Sequence, residues 1–381
     1  MSARDRLVVA HIVPDLLYGG LQRLTVQLTE LVDPTRFESH VLVLGELGPL
    51  AATIGDSATV HPIHGQSRVS MIWPRLLCGA IAAIQPDVVH SHSGVWYKAS
   101  LAARQARVPW LVHTDHGRMV PDPWIARVVD RLASRRTDVV VAVSEPLAMT
   151  MRATVVADPA RVRVVPNGVD TDRLRPHRDT SIRAEWGVPE NATVIGSVGR
   201  LERIKGYDIM IEALASLRTL APDRPVRLVI AGDGDDRLEL EALARARGVA
   251  DQVRFLGWQQ DLARLLAGLD LFVLTSRSEG TSVSLLEAMS VGLCVVVTDV
   301  GGNADVLGPG LAHRLMPTEQ PNAIAEGWLA ALRNPDARHN DGAAGRRRVV
   351  ERFSLRAMIA AYEAIYREGS SQAGRPTART A

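Results

Sequence analysis

Glu279, Gly280, Thr281, Ser282, Val283, Ser284 and Glu287 fall within nine residues, shortly after the apolar run Leu271–Leu274. The pattern reads as a strand passing through a short loop into a helix. The first turn of a helix carries backbone N–H groups with no partner of their own. With the Ser282 and Ser284 hydroxyls beside them, these groups make an anion site. Gly280 lets the backbone come close to a ligand. Glu279 sits in the loop above the helix start, and Glu287 about two turns inside. A helix simply capped by Ser282 accounts for any one of these residues. The whole string at a strand end is more specific.

A second group, Ser197-Val-Gly199-Arg200-Leu-Glu-Arg-Ile-Lys205-Gly206, follows the strand-like TVIGSV. Arg200 and Lys205 can converge on one diphosphate, each charge-assisted contact being worth roughly 1.5–3 kcal/mol. A solvated basic loop is the plain alternative. It is weakened by Gly199 and Gly206 and by the rarity of lysine, which occurs only at Lys98 and Lys205 among 44 basic side chains. A third group, Tyr18-Gly19-Gly20-Leu-Gln-Arg23, follows the first strand. Its glycine pair can admit a phosphate, although a bare loop-to-helix turn explains it equally.

A fourth group, Leu111-Val-His113-Thr-Asp115-His116-Gly117-Arg118, puts two imidazoles and a carboxylate at a strand end. Too few further ligands lie nearby for a metal site, even with His90-Ser-His92 in reach. The functional reading is a neutral or cationic histidine beside a reacting group; the structural one is a self-satisfied loop histidine. Trp258, after another strand, can support a base or merely pack. Arg127, Arg131 and Arg135 recur every fourth residue near Trp124. They form either a solvated face or a docking stripe for an anionic lipid surface or acceptor.

These groups need elements to position them. Strand patterns occur at Leu7–Val13, His40–Leu44, Val60–Ile63, Asp87–His90, Leu111–His113, Asp138–Val143 and Val162–Val165. Helical patterns lie between them at Leu21–Val32, Ile72–Ile84, Trp96–Arg107 and Trp124–Ser134. The polar, turn-rich segment Pro166–Pro189 breaks this rhythm. A second series follows, with strands at Thr193–Val198, Val226–Ala231, Val253–Leu256, Leu271–Leu274 and Cys294–Thr298. Its helices are Asp208–Leu220, Arg237–Arg247, Leu262–Ala267, Ser282–Val291, Asn322–Arg333 and Arg346–Arg367. Alternation of this kind predicts parallel sheets covered on both faces. We therefore expect an α/β protein of two doubly wound, Rossmann-like domains with a ligand in the cleft between them, at the carboxyl ends of strands. The expected divisions are 1–170, 171–353, a returning helix at 354–368 and a disordered tail at 369–381.

Composition narrows the classes. The chain has 381 residues, ample for two cores, with 46% hydrophobic and 23% charged side chains. A net charge of +2 is far from the field of a dedicated nucleic-acid binder. Cys78 and Cys294 form neither a disulfide framework nor a metal spacing, which fits a reducing, cytoplasmic compartment. The first residues read as a strand rather than a signal peptide, and no apolar run is long enough to span a membrane.

Taken together, EGTSVSLLEAM with VVVTDVGGNADVL resembles the Glu-x7-Glu region of glycosyltransferase family 4. GSVGRLERIKG is similar to that family's phosphate-binding loop and VPNGVD to its interdomain segment. Gly19-Gly20 and HTDHG fall in the matching order, so the resemblance runs to about residue 368. It implies a GT-B fold, the two Rossmann-like domains facing each other across the cleft. It also implies metal-free, retaining transfer from a nucleotide sugar, UDP- or GDP-linked, with no separate cofactor. Arg200 and Lys205 would hold the diphosphate, Glu279 the sugar and Glu287 the ribose. Backbone near Val283 and Ser284 would face the diphosphate, with Gly19 and Gly20 closing over it. His116 matches the active-site histidine, with His113 as its rival. The final helix would cross back to the first domain. The acceptor is a sugar, a lipid-linked precursor or another small molecule, such as a surface polysaccharide or glycolipid intermediate. Peripheral contact with the inner face of a membrane is the accompanying expectation.

The chemistry is coherent. A departing nucleoside diphosphate gains negative charge, which preorganised cations and helix N–H groups stabilise where it appears. No second carboxylate is placed for double displacement, so same-face attack is favoured. Rival readings are a GT-B epimerase or phosphorylase and a non-catalytic nucleotide-sugar binding protein. A nicotinamide oxidoreductase is disfavoured, because YGG stands where GxGxxG belongs.

Overall fold

The computed structural model describes residues 6–17, 19–64, 73–117 and 123–373. Tyr18, Ile72 and Arg118, named above, lie outside them, as does the expected tail beyond Ala373. The chain forms two compact units. One holds residues to Pro166 together with Ala357 onward, and the other is Asn167–Arg356.

In the first unit seven strands form one sheet. They are β1 (Leu7–Val13), β2 (Phe37–Val43), β3 (Ala58–Pro62), β4 (Val88–His92), β5 (Trp110–Asp115), β6 (Val139–Ala142) and β7 (Val162–Val164). Their order is β3-β2-β1-β4-β5-β6-β7, and every pairing is parallel. The second unit has six strands: β8 (Thr193–Val198), β9 (Val226–Ala231), β10 (Val253–Gly257), β11 (Leu271–Leu274), β12 (Val295–Thr298) and β13 (Leu315–Met316). Their order is β10-β9-β8-β11-β12-β13, again all parallel. The central strands are buried on both faces, as parallel strands under helices must be, and are mostly valine-, isoleucine- and leucine-rich runs, with β4 and β5 also burying histidines.

One device recurs in both sheets. An aspartate just before a strand accepts the N–H of the second residue of the neighbouring strand: Asp87 from Val8 at 2.8 Å, Asp138 from Leu111 at 2.9 Å, and Asp270 from Val194 at 2.8 Å. Each charge-assisted bond pins register, because a slip of one residue would break it and turn every side chain to the other face. In both sheets the strand order reverses once, between β1 and β4 and between β8 and β11. Such a reversal opens a crevice at the carboxyl ends of the strands.

Two expectations are corrected. The single helix expected over Arg346–Arg367 is two, Pro335–Arg352 and Leu355–Ala373. They part because Val169 pairs with the intervening backbone, its N–H donating to the Phe353 carbonyl and its carbonyl accepting from Leu355, each at 2.9 Å. The last helix also continues to Ala373, past the residue 368 expected as its end. Its Tyr366, Tyr362 and Glu368 pack within the first unit, where Glu368 holds Arg163 through two 2.7 Å bonds.

Candidate functional site

In the second unit the reversal brings together two loops far apart in sequence. The loop after β8 carries Lys205 at the end of a single turn, Arg203–Lys205. The loop after β11 carries Glu279. Lys205 Nζ donates to both Glu279 carboxylate oxygens, at 2.8 and 3.0 Å. Ser276 Oγ donates to Glu279 Oε1 at 2.7 Å. The carboxylate is almost completely buried, whereas the lysine keeps a quarter of its side chain exposed. The buried carboxylate fixes a largely covered ammonium in place through two of its three N–H donors, which leaves the third for a ligand.

Two glycines permit this approach. Gly206 has φ +64°, and a Cβ there would stand 2.1 Å from the Thr275 carbonyl oxygen. Gly301 has φ +53°, and its Cβ would stand 1.7 Å from the Glu279 carbonyl oxygen. A side chain at Gly206 would drive the β8 and β11 loops apart, and one at Gly301, in the loop after β12, would push on the Glu279 backbone.

The helix that follows runs Val283–Ser290, with Ser282 as its cap. The Ser282 hydroxyl accepts from the Leu285 N–H at 3.4 Å and lies 3.3 Å from Ser284 Oγ. Thr281 is buried, and its carbonyl is held by Asn167 Nδ2 at 2.8 Å. Gly280 accepts from the Gly302 N–H at 2.8 Å. Glu287, expected two turns in, is the fifth helical residue, little more than one turn from Val283. It is buried with an interaction of its own. Arg200 lies apart from the Lys205–Glu279 pair, exposed and bonded to Glu202 at 2.7 Å. A Cβ at Gly199 would stand 2.9 Å from the Tyr207 hydroxyl, so a side chain there would press on that ring. Trp258 follows β10, about half exposed.

In the first unit, Gly19 and Gly20 open the helix Gly20–Leu31, whose cap is Gly19 in extended backbone. The two candidate histidines differ in setting. His113 is buried, bonded through Nδ1 to Ser91 Oγ at 3.0 Å, and stacked flat on Trp96 with centroids 4.0 Å apart. His116 joins a different group on the opposite face. Its Nε2 lies 3.2 Å from His92 Nδ1, and its backbone N–H donates to Ser93 Oγ at 2.8 Å. His92 Nε2 in turn lies 3.4 Å from His11 Nδ1.

This cluster is larger than the sequence suggested. His11 and His90 are direct partners across β1 and β4. His90 bonds Tyr366 Oη through Nδ1 and Thr114 Oγ1 through Nε2, each at 2.7 Å. Burial pushes His11 and His116 down to about 4. Burial, then the neighbouring imidazoles, hold His90 and His92 well below the usual histidine range. The cluster is therefore neutral near pH 7. His11, His90 and His92 offer nitrogens within 4.8 Å of one another, the spacing of a metal site. Both nitrogens of His90 and both of His92 already hold hydrogen bonds, so an ion would have to displace them. His11 was missed as a candidate; its only signal was one ionisable side chain inside the apolar run of β1.

Beside His113 and Asp115 lies a cavity of about 700 Å³, lined also by Trp96, Lys98, Ile125 and Val129. No helix among the described residues is long and apolar enough to cross a membrane.

Comparison with known proteins completes the case. Residues 18–173 match the family model Glycosyltransferase Family 4, and residues 178–348 match Glycosyl transferases group 1. The alpha-maltose-1-phosphate synthase of Mycolicibacterium smegmatis is 32% identical over 94% of this chain and 97% of its own. A D-inositol 3-phosphate glycosyltransferase of Jonesia denitrificans is 32% identical over 74% of this chain and 73% of its own. Among solved structures, Anabaena HepE in complex with UDP and glucose superposes with a TM-score of 0.84 at 19% identity, covering 95% of this chain and 100% of that one. The fold of two parallel-sheet α/β units is that of such neighbours, which are GT-B glycosyltransferases. The chain belongs to glycosyltransferase family 4, and its activity is the transfer of a sugar from a nucleotide-sugar donor.

Proposed function

We propose that the enzyme transfers sugar with retention and without a metal, from a UDP-sugar bound at the end of β8 and β11. The carrying observation is the Lys205–Glu279 pair. It holds an ammonium in place by a buried carboxylate, beside the N-terminus of the helix Val283–Ser290. As the diphosphate departs, its growing charge meets a cation and backbone N–H groups that need no reorganisation. Arg200, on its exposed loop, closes on the same diphosphate. Gly280, Thr281, Ser282, Val283 and Ser284 line the anion turn, Glu287 takes the ribose, and Gly199 and Trp258 flank the nucleotide. Gly19 and Gly20 complete the donor-binding set. His116 faces the transferred sugar, whereas His113 is committed to Ser91 and Trp96.

A thermal-shift panel of UDP, GDP, ADP and NAD tests the donor. UDP at about 100 times its dissociation constant raises stability by roughly 2.7 kcal/mol, with or without chelator. A shift with NAD alone overturns the assignment, and loss of turnover in chelator with rescue by one divalent ion overturns metal-free transfer.

The acceptor enters the first unit's cavity, whose largely apolar wall suits a lipid-linked sugar. The helix Trp124–Ser134 supports a peripheral membrane reading. It exposes Trp124, Ile125, Val128 and Leu132 to solvent, with Arg127, Arg131 and Arg135 along one edge of that stripe. Apolar side chains beside cations suit an anionic bilayer surface. Vesicles containing phosphatidylglycerol should sediment the protein, and neutral phosphatidylcholine vesicles should not. Changing all three arginines to glutamate should abolish sedimentation while leaving the UDP thermal shift intact. Equal binding to both vesicle types sinks this reading.

A further inference from the structure

His116, His92 and His11 form an unbranched chain of imidazoles with a buried nitrogen at each end, His116 Nδ1 and His11 Nε2, that has no partner among the described residues. Three neutral rings carry three N–H protons, and two of them must occupy the two links. The third sits at one end or the other. In one arrangement every ring is protonated on Nδ1, so His116 Nδ1 is a donor and His11 Nε2 a bare lone pair. In the other, every ring is protonated on Nε2. His116 Nδ1 is then an acceptor, and His11 buries an N–H with nothing to receive it.

These arrangements are not equivalent once a ligand meets His116. A buried donor left without an acceptor costs more than an unused lone pair. An oxygen lone pair at His116 Nδ1 satisfies the first arrangement's only stranded donor. A donating hydroxyl there would select the second and leave the stranded donor at His11, which has no partner among the described residues. We propose that His92 and His11 are positioning residues that hold His116 as its neutral Nδ1–H tautomer, making it a hydrogen-bond donor to an oxygen of the transferred sugar. This rests on the reading that His116 faces that sugar.

The surroundings favour a fixed, uncharged chain. The His90 ring lies tilted against His92 with centroids 4.2 Å apart and is itself locked by Tyr366 and Thr114. Thr114 Oγ1 also meets Tyr362 Oη at 3.1 Å. The titratable groups around the chain are thus His90 on β4, His113 and Asp115 on β5, and Tyr362 and Tyr366 on the last helix. The tyrosine hydroxyls are pushed up by burial and stay protonated. The role of His92 parallels that of any second partner which sets an imidazole's tautomer through its far nitrogen.

The test uses the full-length enzyme. Its ¹⁵N imidazole spectrum in the presence of donor should show His116 protonated at Nδ1. Protonation at Nε2 overturns the proposal without any variant. His92→Ala should lower kcat by about tenfold to a hundredfold with little change in donor KM. The acid limb of its pH–rate profile should move up by about one unit as water reaches His116. His92→Asn keeps a side-chain N–H near the position of Nδ1 and should recover most of the loss. If His92→Ala keeps full kcat while His116→Ala is inactive, the positioning role fails and the His116 assignment stands. If His116→Ala keeps full kcat, the assignment itself fails, and the proposal with it.

Discussion

Replacing Lys205 with alanine lowers turnover by about 10²- to 10³-fold, with the global fold intact. The loss follows from what the ammonium does. It is held by two bonds to Glu279, so its position is set before any substrate arrives. Removing it takes away a preorganised charge and also leaves a buried carboxylate held by the Ser276 hydroxyl but with its positive partner gone. Lys205→Arg should not rescue, since a planar guanidinium fills different space and directs its N–H groups differently. Steady-state kcat beside a melting curve makes the measurement. Turnover within threefold of the parent enzyme would remove Lys205 from the charge-stabilising role.

The second large effect is acid lability of the first unit. In the unfolded chain a histidine binds its proton near pH 6.5, whereas folded His11 and His116 do so only near pH 4. Between those values the unfolded state binds more protons, so stability falls as pH falls. Their contribution is fully present above pH 6.5 and is lost on passing down through about pH 4. For His11 alone, 2.5 units correspond to about 3 kcal/mol, a large share of the 5–15 kcal/mol that usually holds a domain together. His90 and His92 act in the same direction. Calorimetry from pH 7.5 to 4.5 should show one transition moving steeply downward, and His11→Asn should flatten its pH dependence. A first-unit transition that stays put across this window would contradict the neutral cluster.

The sequence was most legible where local pattern decides the outcome. Leu7–Val13, Thr193–Val198, Val226–Ala231, Leu271–Leu274 and the helix Trp124–Ser134 match residue for residue, because apolar runs between turn residues leave few alternatives. Contacts between distant segments were not legible. Lys205 and Glu279 are 74 residues apart, and only the strand order makes β8 and β11 neighbours. The break at Phe353–Ser354 has the same origin, since the pairing with Val169 lies far upstream. His116 and His113 could not be ranked from residue type. Strand alternation places His113 with Ser91 and Trp96 on one face, and His116 with His92 on the other. His11 escaped notice because a single histidine in an apolar strand carries no pattern of its own.

The way the chain returns to its first unit bears on how the protein is made. Tyr366 closes over His90 and lies edge-on to Phe37, and Glu363 accepts from the Asp33 N–H at 3.1 Å. A ribosome delivers these residues only after all of Asn167–Arg356 has been synthesised. The unit begun first is thus the last to be completed, while the second, continuous in sequence, has every part it needs earlier. Until the final helix emerges, the histidine-bearing face of the nascent sheet lacks its cover. Translation that stops short of residue 357 would therefore yield a finished donor-side unit tethered to an unfinished partner, a species with exposed sheet surface for chaperones and proteases to recognise.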